Sequence, residues 1–155
     1  NLVERRFMTA SDSIMDHFRQ RYGDRIDEFL VPPPSFLLME GEVVAFDPAA
    51  GILVARFPVD ERYLNPYGAM QGGLAAAAVD NTLGPLSMLV APPNVTRRLE
   101  MKYSRAIKVE MGSIEVRAEV VGREDRWLDL KADVRTLEGD LLARAKARHW
   151  IVEVS

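Results

Sequence analysis

Apolar and polar residues alternate with period two along four stretches in the second half of the chain. Leu99, Met101 and Tyr103 alternate with charged residues, and Ile114, Val116, Ala118 and Val120 alternate with Ser113, Glu115, Arg117 and Glu119. Leu128, Leu130, Ala132 and Val134 interleave with Asp129, Lys131, Asp133 and Arg135; Ala143, Ala145 and Ala147 do so with Arg144, Lys146 and Arg148. Successive side chains on a strand point to opposite faces. The pattern therefore predicts four strands, each with one covered and one solvated face, as in antiparallel sheet. Gly122–Asp125 and Leu137–Asp140 supply the turns. Phe36–Phe46 and Ile52–Phe57 add two further strands, joined by the turn-forming Asp47-Pro-Ala-Ala-Gly51.

Helical periodicity occupies two other segments. Thr9-Ala-Ser-Asp opens a helix expected to reach about Leu30, with Ile14, Phe18, Tyr22 and Ile26 along one face, before Pro32-Pro33-Pro34 imposes an extended link. A longer helix is expected over Gly72–Val90, kinked or shortened near Pro85, and closed by Pro92-Pro93-Asn94. The small side chains of Ala75 to Ala78 would let it lie close against a sheet. The order is helix, two strands, long helix, four strands. It predicts an α+β fold in which one long central helix is wrapped by a curved antiparallel sheet of about six strands, with an extra N-terminal helix. No repeat or composition break divides residues 1–155, so one domain is expected, with a helical extension at about 9–30 and a core at about 36–152.

Composition narrows the functional classes. A net charge of −3 and a pI near 5.5 lack the basic footprint of a nucleic-acid binder. The absence of cysteine excludes disulfides, thiolate metal sites and a cysteine nucleophile. No uninterrupted apolar run suggests a membrane segment, and charges break up the N-terminus where a signal peptide would lie, so a cytoplasmic location is expected. The seven methionines read as core filler.

The densest chemistry lies in Asn65-Pro-Tyr-Gly-Ala-Met-Gln-Gly-Gly-Leu-Ala-Ala-Ala-Ala-Val-Asp80-Asn-Thr-Leu-Gly84. Gly72 and Gly73 fall where a helix begins, and the first turn of a helix leaves backbone N–H groups free to receive an oxyanion. Glycine removes the Cβ that would hold a substrate away. Asp80 falls on the same helix face as Gly73, among Ala76, Ala77, Leu83 and Gly84, where a carboxylate is expected to be buried and its pKa raised unless it is paired or used. Pairing with an arginine, or capping another element, is the plain structural alternative.

This segment resembles the hotdog-fold acyl-CoA thioesterases of the phenylacetyl-CoA type. That family reads Asn, a short turn, His-Gly-Gly, a small-residue helix, Asp, then Gly. Asn65, Gly72, Gly73, Asp80 and Gly84 stand at the matching positions, and Gln71 replaces the histidine. Val95-Thr96 through Tyr103 resembles the family's third strand, with Thr96 where a Ser or Thr is usual. The resemblance spans about residues 36 to 152 and implies hydrolysis of an acyl-CoA thioester. Asp80 would serve as nucleophile or general base, and the Gly72 and Gly73 amides as the oxyanion site. Gln71, Asn65 and Thr96 would assist. Coenzyme A would enter as part of the substrate, with no cofactor and no metal.

Seven residues of helix separate Gly73 from Asp80, about 10 Å along the axis, whereas reacting groups must approach one carbonyl carbon to about 3–3.5 Å. One chain cannot readily bring both to a single thioester. A two-fold homodimer that faces one chain's amides with the other's Asp80 resolves this, and a dimer of dimers is open to it. The remaining candidates are weaker. His17 is expected at the surface, and His149 ends the last strand without a motif partner. Arg97, Arg98 and Lys102 could meet coenzyme A phosphates, but a solvated strand face explains them. Two further functions stay in view: a non-catalytic acyl-CoA or acyl-ligand binder, suggested by Gln71, and an enoyl-thioester hydratase.

Overall fold

The computed structural model describes residues 9–153. Six strands, β1 (Glu42–Asp47), β2 (Ile52–Pro58), β3 (Asn94–Tyr103), β4 (Ser113–Glu124), β5 (Trp127–Thr136) and β6 (Leu141–Ile151), form one sheet in the order β1-β2-β4-β5-β6-β3. Every neighbouring pair is antiparallel. The helix α3 (Gly72–Val90) lies across one face of this sheet. This is the hotdog arrangement, and the period-two segments are its strands.

Alternation explains the core. Leu53, Ala55 and Phe57 of β2, Ile114, Val116 and Ala118 of β4, Leu128, Leu130 and Val134 of β5, and Leu142 and Ala145 of β6 are buried. Against them α3 turns Ala75, Ala78, Val79, Thr82, Leu83, Leu86 and Leu89, spaced three and four apart. Each of the larger side chains contributes about 1.5–3 kcal/mol on leaving water. By length and composition alone α3 is apolar enough to cross a membrane. Its packing on the sheet accounts for that apolarity.

Several boundaries differ from expectation, each for a local reason. The predicted strand from Phe36 is instead a short helix, α2 (Pro34–Leu38), followed by a turn with Glu40 at φ 53°, so β1 begins only at Glu42. Proline suits the first position of a helix, and the Phe36/Leu38 alternation is too short to mean a strand. The N-terminal helix α1 (Ala10–Tyr22) stops at Gly23, φ 54°, and continues as a 3₁₀ turn to Glu28 rather than as α-helix to Leu30. α3 is not shortened at Pro85 but runs on to Val90. The Gly122–Asp125 turn contracts to two residues, because β4 extends to Glu124 by way of a bulge at Val120/Gly122. The Leu137–Asp140 turn stands as expected.

α1 starts with a capping box between Thr9 and Asp12. It is tied to the body where the Tyr22 hydroxyl donates to the Met88 carbonyl at 2.8 Å and the Val43 N–H donates to Ser11 Oγ at 3.2 Å. The outer face of the sheet is a mosaic of ion pairs. Arg56 meets Glu115 at 3.1 Å, Arg117 meets Glu119 at 2.8 Å, Arg144 meets Asp133 at 3.6 Å and Arg148 meets Asp129 at 2.8 Å. Such solvated pairs contribute little each, about 0–1 kcal/mol.

Candidate active site

Two half-sites sit about two helix turns apart along α3. The first is its N-terminus. The chain enters through a tight loop braced by Asn65, whose Oδ1 accepts from the N–H groups of Tyr67 at 2.9 Å and Ala69 at 3.1 Å. Asn65 therefore holds the loop. Gln71 is the N-cap, its Oε1 accepting from the Leu74 N–H at 3.0 Å. That limits its expected assistance to a thioester: the Gln71 carbonyl end is spent on its own helix, leaving only Nε2 to donate outward.

The N–H groups of Gly72 and Gly73 have no hydrogen-bond partner among the described residues. Both glycines are tight. A Cβ on Gly72 would meet the Tyr103 ring at 3.2 Å, and one on Gly73 would meet Gln71 Oε1 at 2.9 Å. The Tyr103 hydroxyl donates a short hydrogen bond to the Gly72 carbonyl, fastening the end of β3 to the start of α3. Partial burial pushes the Tyr103 phenol above its usual pKa. Asn65, Met70, Gly72, Tyr103 and Arg105 line a cleft of about 450 Å³ beside these amides.

The second half-site lies around Asp80. The expected burial is not met in the single chain: Asp80 is exposed, because the buried stripe of α3 runs through Ala75, Ala78, Val79, Thr82 and Leu83. The stripe through Ala76, Ala77 and Gly84 is only half-covered. The arginine partner of the structural alternative is absent among the described residues. Instead the Thr96 hydroxyl donates to Asp80 Oδ1 at 3.0 Å, leaving Oδ2 open.

Thr96 also lies 3.3 Å from Nε2 of His149, and His149 Nδ1 lies 2.8 Å from Asn94 Oδ1. Asn94 Nδ2 in turn donates to the Pro92 carbonyl at 2.9 Å and to that of Ser87 at 3.4 Å. His149, without a motif partner in the sequence, thus has two partners in space; it is 1% exposed and sits directly behind Thr96. Burial holds its pKa below the ordinary histidine value, with the Asp80 charge opposing. The signal that could have found it is register. Counting β3 against β6 back from Tyr103↔Ala143 brings His149 opposite Thr96, across a one-residue bulge at Thr96/Arg98.

His17 is at the surface, as expected. Arg98 pairs with Glu100 at 3.0 Å, whereas Arg97 and Lys102 are exposed and form no ion pair among the described residues. No group of three or more His, Asp or Glu side chains is placed to hold a metal ion among those residues.

No protein-family model matches the sequence, and no curated protein matches it. Solved structures do match. A phenylacetic acid degradation-related protein of Ralstonia eutropha JMP134 superposes with a TM-score of 0.72 at 24% identity, over 84% of this chain and 99% of its own. A thioesterase of Haemophilus influenzae gives 0.67 at 20% identity, over 77% and 85%. A Streptococcus mutans UA159 protein solved with acetyl-CoA bound gives 0.67 at 19% identity, over 72% and 88%. At these identities the common property is the fold, and the resemblance read from Asn65–Gly84 is upheld at that level: the chain is a hotdog-fold protein.

Proposed function

We propose that this protein hydrolyses an acyl-CoA thioester to a free acid and coenzyme A, at sites shared between two protomers. The observation that carries the reading is the pair of unpartnered Gly72 and Gly73 amides at a helix start, together with an open Asp80 carboxylate oxygen further along the same helix. Hotdog-fold neighbours that are a thioesterase or hold acetyl-CoA support it.

The chemistry follows from what each group can do. The amides donate to the thioester oxygen and stabilise the negative charge that develops on it as the carbonyl carbon becomes tetrahedral. Asp80, held by Thr96 through Oδ1, uses Oδ2 either to take a proton from an attacking water or to attack the carbon itself. In the first route water adds, the carbon–sulfur bond breaks and coenzyme A leaves as the thiolate. In the second, the acyl-aspartyl anhydride left after the thiolate departs is hydrolysed by water. Neither route requires a metal or a further cofactor.

The dimer rests on two features. Gly72 and Asp80 of one chain lie about 12 Å apart along α3, too far to act on one carbon. β3, in addition, pairs only with β6 among the described residues, and its other edge has no strand partner there. Thr96 marks the carboxylate end of that strand and Tyr103 the amide end. The inward-facing residues of β3 are Thr96, Leu99, Met101 and Tyr103, opposite buried His149, Ala147, Ala145 and Ala143 of β6. Antiparallel pairing of two β3 strands about a two-fold axis near Leu99 or Glu100 keeps these faces aligned. It carries one chain's Thr96 to the 101–103 stretch of the other, and hence one chain's Asp80 toward the other's amides. A dimer of dimers would use other surfaces.

Steady-state hydrolysis of a panel of aryl- and fatty acyl-CoA esters tests the reading, comparing the parent with Asp80→Asn. Loss of turnover with retained binding of the ester is expected; undiminished turnover removes Asp80 from the mechanism. Gln71, which cannot titrate near neutral pH, favours a second reading as an acyl-CoA binder, and tight binding by calorimetry without turnover on any ester would establish it. The hydratase reading gains nothing from His149, which is sealed behind Thr96 and cannot reach a ligand.

A further inference from the structure

We infer that His149 is a positioning residue that directs the Thr96 hydroxyl proton beside Asp80, with Asn94 fixing the tautomer that makes this possible. The inference rests on the thioesterase reading for its catalytic meaning, but its physical content is a proton arrangement that stands independently of turnover.

The argument is a count of protons. Asn94 has one donor group and one acceptor. Its Nδ2 faces the carbonyl oxygens of Pro92 and Ser87, which can only accept, so its Oδ1 must be the atom facing His149 Nδ1 at 2.8 Å. His149 therefore carries a proton on Nδ1. In its neutral form Nε2 then has a lone pair, and that lone pair faces Thr96 Oγ1 at 3.3 Å. Thr96 has one proton for two acceptors, Nε2 on one side and Asp80 Oδ1 on the other.

Three states follow. With His149 neutral and Asp80 ionised, one of the two acceptors is left facing a threonine lone pair. If Asp80 takes up a proton on Oδ2, its Oδ1 becomes an uncharged and weaker acceptor, and the threonine proton turns to Nε2. If His149 is instead protonated, Nε2–H donates to Thr96, which donates to the Asp80 carboxylate, and the anion is doubly stabilised by hydrogen bond and charge. Neutral His149 thus gives the threonine proton a second acceptor to turn to as Asp80 accepts a proton from water. Protonated His149 removes that second acceptor and keeps the threonine proton on Asp80.

The surroundings leave this coupling undiluted. On β5 the residue opposite His149 is Leu128, while Arg148 and Asp129 pair with each other on the outer face. Among the described residues Asp80 is the one charge that acts on the ring, and it acts to raise its pKa against the effect of burial. Burial keeps the imidazole neutral at ordinary pH, the state in which the relay supports catalysis.

Histidine-ring ¹⁵N and ¹³C NMR through a pH titration tests the inference, with exposed His17 as an internal reference. In the parent, neutral His149 should carry its proton on Nδ1. In Asp80→Asn its titration midpoint should fall by about half a pH unit or more, the size expected for loss of one charge roughly 6 Å away near solvent. Thr96→Ser should retain the shift that Asp80→Asn causes, and Thr96→Val should shrink it. His17 should not move in any of these. An Nε2–H tautomer, or the same His149 midpoint with and without the Asp80 charge, overturns the inference. In turnover, the acid limb of the kcat profile should follow the His149 midpoint across the parent and the two Thr96 variants, a response that a merely packed histidine would not give. A protein without turnover on any ester defeats the thioesterase reading, and the tautomer and midpoints then decide the proton arrangement by themselves.

Discussion

Replacing Gly73 by alanine should silence the oxyanion half-site while leaving the protein folded. The added Cβ would lie 2.9 Å from Gln71 Oε1 and 3.4 Å from its Nε2. The far end of a flexible side chain can give way, so the helix start survives but Gln71 is pushed off the Leu74 N–H it caps. Losing an N-cap costs about 0.5–2 kcal/mol, and exchanging Gly for Ala inside a helix returns up to about 1 kcal/mol. The net change in stability is about 1 kcal/mol or less, a Tm shift of roughly 2–4 °C at this chain length. Turnover should respond far more strongly, because the methyl group and the displaced glutamine stand over the Gly72 and Gly73 amides. Loss of one oxyanion donor lowers kcat by about 10²–10³-fold. Thermal unfolding by circular dichroism and thiol release from the preferred acyl-CoA ester are the two measurements. Unchanged kcat in a folded Gly73→Ala protein would refute the assignment of these amides; a collapse of Tm would show that the glycine is needed for the fold instead.

A shared site gives a quantitative mixing test. Chains carrying Asp80→Asn and chains carrying Gly73→Ala, each inactive alone, should regain about a quarter of parental turnover when co-refolded in equal amounts, because half of randomly formed dimers hold one intact site of two. No recovery, with dimers demonstrated by light scattering, would assign both half-sites to a single chain. Stability should also respond to His149. Its folded-state pKa is depressed, so its contribution is complete above the unfolded value near 6.5 and is lost as pH falls from there through the folded pKa. Urea midpoints measured across this range should decline toward acid, and the decline should flatten in His149→Gln; an identical slope in the two proteins would contradict the burial of a neutral imidazole.

The strands of the second half are legible because the inward residues from Ile114 to Ala147 alternate with charged or polar ones, and a period of two has few other causes. The site loop is legible for a different reason: Gly72-Gly73 ahead of a small-residue helix combines turn chemistry with close approach. The N-terminal third is less so. Phe36 and Leu38 read as strand but obey the proline that precedes them, and a helix of five residues is too short for periodicity to declare itself. Asp80 reads as covered because a helical wheel shows which residues lie together, not which side meets the sheet. His149 escapes a local reading because its partners Asn94 and Thr96 are 55 and 53 positions away, and a bulge shifts the pairing that joins them. Contacts of that separation depend on strand order and register, which local pattern does not carry.

The ion-pair mosaic on the outer face has a consequence for how a ligand arrives. Charges bound in neighbouring opposite pairs cancel one another within a few ångströms, so the sheet casts little field beyond the Debye length of about 8 Å at physiological salt. With a net charge of −3, the protein as a whole does not draw in a polyanion such as coenzyme A from a distance. Encounter with such a ligand is then governed by diffusion and orientation rather than by long-range steering.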